Sequence, residues 1–297
     1  MANPGTSVGR QVCQRAKHVF LPDANHALVN TEGVRFDVVR CGDGFVRGWL
    51  AYLAGLRLKN TLREFFDGVR QAITHALDRE TLIQEIFLGR HQAARGILPP
   101  GMPGYNPQLK ALEYQPTRAR ELLAKAGFPD GRGFPPLAIW SSVKSERIEA
   151  ELLAVKRQLA AVGIPAEINY ETDWPTFSKQ LAGGRYPMFV YAWFADVPDP
   201  DNFLYKLFYS RSPRNLTGYV NPIVDDLLSE GRREHDVGRR IEVYRRAEQI
   251  IVDDAPVVPV WHYTYERLFQ SYVRNVEVNG LGDAYMPLRR MWLEVPR

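Results

Sequence analysis

The stretch from Leu137 to Ala195 constrains this sequence most, because short apolar runs there alternate with helix-length stripes. Leu137–Ser141 (LAIWS) reads as a strand. Ile148, Leu152, Val155, Leu159 and Val162 then step by four, three, four and three, which is one face of a helix about five turns long. Gly163 closes that helix, Pro165 forbids its continuation, and Ala166, Ile168 and Tyr170 alternate as a second strand. Asp173-Trp-Pro opens another helix that runs through Leu181, and Gly183-Gly184 end it. The near-continuous apolar run Met188–Ala195 reads as a third strand, buried on both faces. A strand, helix and strand of this size imply a parallel pair with a right-handed crossover. The order β-α-β-α-β is that of an α/β doubly wound sheet.

The third run stops at Asp196, and Pro198-Asp199-Pro200-Asp201 follows. A carboxylate at the carboxyl end of a buried strand, beside Trp193 and Phe194, stands where open α/β sheets place their ligands. The same residues also describe a plain loop, in which Asp196 leaves the strand and the prolines turn the chain. A semi-buried carboxylate in an aromatic wall prefers a cationic partner, because an unpaired buried charge is costly, and a ligand ammonium group would serve. Trp140, Trp174 and Trp261 also fall at or beside strand ends and loops, and clefts for small organic ligands are mainly apolar and aromatic.

Upstream, Val69, Ile73, Ala76 and Leu77 fall at helical spacing, as do Leu82, Ile83, Ile86 and Phe87. Asp78 is placed to cap the second helix and Gly89 to end it. Ile97–Tyr105 (ILPPGMPGY) cannot be regular structure, because its prolines and glycines break both ladders. Pro116 opens a helix with Ala119, Leu122, Leu123 and Ala126 on one face and Gly127 as its stop. Downstream, Asn221-Pro222 starts a helix that buries Leu227 and Leu228. A longer helix runs from Asp236 to about Asp253, with Val237, Ile241, Tyr244, Ala247 and Ile251 inward. Arg239, Arg240, Arg245, Arg246 and Glu248 are expected on its solvated face. Pro256–Trp261 and Arg267–Val273 read as strands. Residues 1–60 are unassigned; short bursts such as Val34–Val39 fit a few strands or an irregular arm.

Enzymatic chemistry has no motif here. The histidines form no HxxxH or HExxH pair, and neither a GxSxG elbow, a Walker loop nor GxGxxG after a strand occurs. No catalytic residue, cofactor or metal site is therefore assigned. His262, at a strand end, reads as a structural histidine. Asp196, Asp199 and Asp201 offer carboxylates to a hard cation, but the prolines and spacing depart from an EF-hand loop. Cys13 and Cys41 lie in no CxxC pair and read as free or buried thiols. A balance of 38 basic against 34 acidic residues, net +4, is too diffuse for a nucleic-acid footprint. No run of 18 apolar residues is present to span a membrane. The first residues lack a basic region followed by an apolar core, so the chain as written is expected to be cytoplasmic.

Val69–Glu80 (VRQAITHALDRE) resembles the hallmark helix of the family 5 extracellular solute-binding proteins, the peptide- and dipeptide-binding subunits of ABC importers. The similarity continues in Gly96–Tyr105 (GILPPGMPGY), from Tyr114 through Phe128, and in Trp193-Phe-Ala-Asp through Asp199-Pro-Asp-Asn-Phe203. It then runs through Asp254–Trp261 (DAPVVPVW) to the closing Leu281–Leu293. Each motif alone is weak, but their order and spacing from about residue 67 to the end are specific.

The resemblance implies a periplasmic-binding-protein type II architecture, whose two lobes close on a ligand by a hinge. Residues 61–297 would form the family domain, as the C-terminal lobe plus the returning segment of the other, with the N-terminal lobe largely missing. It also implies that Asp196, the aspartate of W-x-x-D, pairs with the ligand's α-ammonium group, with Trp193 and Phe194 beside it as walls. The position three before the tryptophan, basic in some peptide binders, is Val190. The expected function is the substrate-binding component of an ABC-type importer for peptides or other small amine-bearing solutes. It would work with membrane permease subunits in the periplasm or outside the cell, with no nucleic acid and no chemistry on the ligand. Two other readings stay open, a cytoplasmic ligand-sensing regulator and an inactive truncated fragment. The first 60 residues show no helix-turn-helix pattern to support the regulator.

Overall fold

The computed structural model describes residues 67–264, 268–277 and 287–294, together with the backbone of three short strands nearer the N-terminus. Those strands, β1 (His18–Phe20), β2 (Ala27–Asn30) and β3 (Arg35–Asp37), pair antiparallel in that order. Cys13, Cys41, Arg267 and Leu281 lie outside the described residues.

The spacing at Val69–Leu77 forms α1 (67–76), which buries Val69, Ala72 and Ala76. Leu77 and Asp78 interrupt the helix before α2 (Arg79–Phe87), and β4 (Gln92–Ala93) follows. Pro116 opens α3 (Pro116–Lys125), where its lacking N–H costs nothing. The alternating segment then forms β5 (Leu137–Ser141), α4 (Glu146–Ala161), β6 (Ala166–Tyr170), α5 (Trp174–Ala182) and β7 (Met188–Phe189). The Ser145 hydroxyl accepts from the Ile148 N–H at 3.3 Å, and the Asp173 carboxylate from the Thr176 N–H at 3.0 Å. Each satisfies an otherwise orphaned amide where a helix starts. Gly163, at φ 90°, stops α4, and the chain packs so closely there that a Cβ on Gly131 would lie 1.9 Å from the Gly163 carbonyl oxygen.

Beyond β7 come α6 (Leu204–Phe208), α7 (Pro222–Arg233) and α8 (Val237–Asp254). The short strands β8 (Trp261–His262), β9 (Val273–Arg274) and β10 (Trp292–Leu293) follow. β8 pairs with β4, and β10 with β9, both antiparallel.

The chain divides into two compact units. The first runs up to Asp78 and continues with Leu112–Tyr191 and Asp254–Val258. The second comprises Arg79–Ala111, Ala192–Asp253 and the chain from Pro259. In the first unit β5 is central in a parallel sheet of order β6-β5-β7, with Leu137 opposite Ala166 and Ile139 opposite Met188. The α4 stripe lands as the spacing requires: Ile148, Leu152, Leu159 and Val162 are buried against Leu137 and Ile139, joined by Leu122 and Leu123 of α3. Each such aliphatic side chain contributes roughly 1.5–3 kcal/mol by leaving water.

The third strand differs from its expected form. Only Met188–Phe189 are paired as strand, extended by one bond from the Val190 N–H to the Trp140 carbonyl at 2.9 Å. Val190 and Phe194 are exposed, so the run to Ala195 is not a buried strand. β7 pairs with β5 alone, and past Val190 no ladder constrains the chain. Apolar composition could not reveal this, because it does not say whether a neighbouring strand exists. Pro256–Trp261 likewise contributes only its last residue to a strand, and the described part of Arg267–Val273 only Val273.

On α8, Tyr244, Ala247 and Ile251 face inward as expected, but Val237 is 71% exposed. Glu248, expected on the solvated face, is only 1% exposed. Its Oε1 accepts from the N–H groups of Ile97 and Leu98, each at 2.8 Å. The irregular Ile97–Tyr105 loop thus has its first amides satisfied by a helix side chain distant in sequence. Helical spacing counts charges as outward unless a partner is known.

Candidate functional site

From Ala192 to Asp253 the chain belongs to the second unit, and the local order of its first residues comes from Asn202. The Asn202 side chain is nearly fully buried and joins two residues of the W-x-x-D segment. The Trp193 indole N–H donates to the Asn202 carbonyl at 2.9 Å and to Oδ1 at 3.3 Å. The Asp196 N–H donates to the same Oδ1 at 3.3 Å, and Asn202 Nδ2 donates to Asp196 Oδ2 at 3.4 Å. One buried amide therefore sets the positions of both the tryptophan and the aspartate. The sequence reading did not single out Asn202; an asparagine ending a Pro-Asp-Asn turn six residues beyond Asp196 was the available signal.

The other acids of the loop are fastened to the helices. Both oxygens of Asp199 are held by the Arg240 guanidinium at 2.8 and 2.9 Å. Asp199 Oδ1 also accepts from the Asp201 N–H at 2.8 Å. Burial pushes the Asp199 carboxyl up, but the Arg240 bonds and that amide outweigh it, and it ends below the usual carboxylate range. Asp201 accepts the Tyr244 hydroxyl at 2.9 Å and pairs with Arg232 at 3.3 Å. Burial first, then the Asp201 charge, pushes the Tyr244 hydroxyl far above its ordinary value. Among the described residues no cluster of three or more His, Cys, Asp or Glu is placed to hold a metal ion. The loop carboxylates face arginine, lysine and tyrosine instead.

Asp196 is not semi-buried. Its side chain is 72% exposed, and Lys206 Nζ donates to its Oδ2 at 2.7 Å. That bond, then the Asn202 amide, holds the Asp196 carboxyl below the usual carboxylate range. Lys206 arrives there because Leu204 and Phe208 bury one face of the short α6, which turns Tyr205, Lys206 and Tyr209 the other way. Its ammonium also lies 5.9 Å over the Trp193 ring.

Trp193, Asp196, Tyr205, Lys206, Tyr209 and Arg214 are among the residues lining a pocket of about 460 Å³. The Tyr205 ring stacks on Tyr209 at 4.4 Å, and the Arg232 guanidinium sits 4.1 Å from the Tyr205 centroid. The fold thus brings Trp193 and Asp196 to one pocket. Phe194 does not line it; that ring is 53% exposed and lies 5.5 Å from Tyr263. The other tryptophans are used elsewhere. Trp140 stacks on Tyr186 at 4.6 Å and Trp174 on Phe177 at 5.9 Å. Trp261 packs edge-on against Phe87 at 5.0 Å. His262 is largely buried, which pushes its imidazole down to about 4.

Residues 51–215 match the family described as bacterial extracellular solute-binding proteins, family 5 (middle). Di/tripeptide-binding protein 1 of Pseudomonas aeruginosa is 29% identical over 250 residues, covering 80% of this chain and 44% of that protein. Heme-binding protein A of Haemophilus influenzae is 31% identical over 212 residues, 68% of this chain and 38% of that one. Among solved structures, the ABC transporter-associated periplasmic binding protein DppA from Helicobacter pylori, in complex with the peptide STSA, superposes with a TM-score of 0.65. It is 31% identical, over 78% of this chain and 45% of that chain. The chain spans less than half the length of each of these relatives.

Proposed function

The chain belongs to the bacterial extracellular solute-binding proteins of family 5, and from that premise we propose that it acts as a substrate-binding component of an ABC-type importer. Its solute is a peptide or a similar small amine-bearing molecule, its partners are membrane permease subunits, and its working place is the periplasm. Residues 61–297 form the family domain in this reading, as the C-terminal lobe with the returning segment of the other. The names of the relatives support the class of solute: one binds di- and tripeptides and another was solved with a tetrapeptide.

The observation that carries the reading is the juxtaposition of Trp193 and Asp196 in one pocket, both held by buried Asn202. In this reading Asp196 takes the solute's ammonium group and Trp193 is the wall beside it. The ammonium exchanges with Lys206, which already rests between the same carboxylate and the same ring. An exposed ion pair is weak because water screens it, so that exchange costs little.

Thermal shift of the purified chain with di- and tripeptides tests the proposal. Stabilisation is expected, and Asp196→Ala should remove it while Asp226→Ala, at an exposed acid, leaves it in place. A chain that responds to no peptide, or an Asp196→Ala variant that responds like the parent, rejects it.

A further inference from the structure

Tyr205 and Tyr209 stand one helical turn apart and stack, with ring centroids 4.4 Å apart and planes 12° from parallel. The Arg232 guanidinium lies 4.1 Å from the Tyr205 centroid. A guanidinium and a ring cannot share one face at those distances, so both faces of Tyr205 are filled. Tyr209 ends the stack. Among the described residues its ring meets no ring but Tyr205 and no cation, and it lines the Trp193 pocket.

The stack is fastened at several points. The Tyr209 N–H donates to the Tyr205 carbonyl at 3.1 Å, and the Tyr209 carbonyl accepts from the Ser212 N–H at 2.9 Å and from Asn215 Nδ2 at 3.3 Å. Arg232, against Tyr205, pairs with Asp201 at 3.3 Å, and Asp201 accepts the hydroxyl of fully buried Tyr244. A platform ordered in advance costs a ligand little to use. Its remaining face suits a flat group, since rings gain from stacking beyond the area they bury. The pocket volume of about 460 Å³ is well above the ~150 Å³ that holds a benzene ring.

The charges around Tyr209 decide which flat group fits. Lys206, Arg211, Arg214 and Arg232 line the pocket against the carboxylates of Asp196 and Asp201. A cationic side chain brought to Tyr209 would meet that excess of positive charge, and a neutral ring would not.

We propose that the open face of Tyr209 is a stacking subsite for a neutral aromatic ring, so that the solute is an amine bearing a phenyl, phenol or indole group, such as a dipeptide with one aromatic residue. The proposal rests on the reading of Trp193 and Asp196 as a solute site and adds a side-chain preference to it.

Titration calorimetry of the purified chain compares alanyl-phenylalanine with alanyl-cyclohexylalanine, which has similar apolar bulk but no π face, and with alanyl-lysine. The phenyl peptide is expected to bind roughly two- to tenfold more tightly than the cyclohexyl one, and the lysine peptide most weakly. Tyr209→Leu should close the gap between the first two, and Tyr209→Phe, which keeps the ring, should retain it. In NMR spectra the bound phenyl protons should move upfield with the parent and with Tyr209→Phe but not with Tyr209→Leu, a change that a purely structural tyrosine would not cause. Equal binding of phenyl and cyclohexyl peptides by the parent overturns the subsite, leaves the Asp196 reading intact and needs no variant to fold. A gap that survives Tyr209→Leu, or a lysine peptide that binds as tightly as the phenyl one, also overturns it. A phenyl preference in the parent, with affinities unchanged by Asp196→Ala, overturns the Asp196 reading and spares the stack. No binding of any of the three peptides overturns both.

Discussion

Lys206 donates to Asp196 at 2.7 Å, so the carboxylate we propose for the solute's ammonium group already has a tethered ammonium of its own. Replacing Lys206→Met removes that competitor. Affinity for a dipeptide should rise roughly two- to fivefold, the worth of an exposed ion pair. The acid limb should shift as well. Asp196 sits below the usual carboxylate range, first through the Lys206 bond and then through Asn202. A depressed carboxyl stays charged, and able to bind, until the pH falls through its folded value. Losing Lys206 raises that value, so the variant should lose peptide at a higher pH than the parent. Calorimetric titrations at descending pH check this; coincident acid limbs reject it.

Arg240 joins three pieces of the second unit, gripping both oxygens of Asp199 and donating to the Gly231 carbonyl at 3.0 Å. Arg240→Ala should lower stability by roughly 1–3 kcal/mol and weaken the peptide response, because the turn that carries Asn202 loses its tie. Arg240→Lys should rescue little, since an ammonium cannot span two carboxylate oxygens. Denaturant melts of the pair decide; a lysine variant as stable as the parent means that charge, not the fork, does the holding.

Glu248 should give the protein a pH-dependent stability. Burial pushes its carboxyl up, with the Leu98 and Ile97 amides and Arg245 opposing. A carboxyl raised in the folded state contributes fully below the ordinary glutamate value, and that contribution fades as pH rises through the raised folded one. Glu248→Gln keeps an acceptor for the amides but cannot ionise, so it should flatten this slope and match or exceed the parent near neutrality. Glu248→Ala leaves the two N–H groups unanswered, at a cost of roughly 1–3 kcal/mol. Urea melts from about pH 4 to 8 measure both; a glutamine variant with the parental slope refutes the assignment.

Gly231 separates a rule of sequence from a fact of packing. A helical glycine replaced by alanine ordinarily gains roughly 1 kcal/mol. Here a Cβ would lie 2.9 Å from the Tyr244 ring, and that ring is fully buried. Gly231→Ala should therefore destabilise, by roughly 1–3 kcal/mol as overpacking does. A gain in melting temperature would show that the ring has room to move.

Much of the fold was legible because periodicity reports local structure directly. The stripe from Ile148 to Val162, Asp173 at the start of its helix, and the proline at 116 each act on their own few neighbours. Their elements appear where the spacing placed them. The strand beyond Phe189 was misread for the complementary reason: an apolar run does not say whether another strand lies alongside. The outward face of α8 was misread at Glu248 because its partners, the amides of Ile97 and Leu98, lie some 150 residues away in sequence.

The sequence by itself determined the family, the parallel β-α-β-α-β order and the two residues, Trp193 and Asp196, on which a site could be argued. These follow from residue types at fixed spacing. Tertiary structure alone decided what those residues meet. It placed Asn202 between them, laid Lys206 on Asp196, and tied Asp199 and Asp201 to Arg240, Arg232 and Tyr244. It also left Arg211 and Arg214 facing the same pocket. Charge pairing depends on separations of a few ångströms between groups far apart along the chain, and no pattern read within one segment encodes those distances.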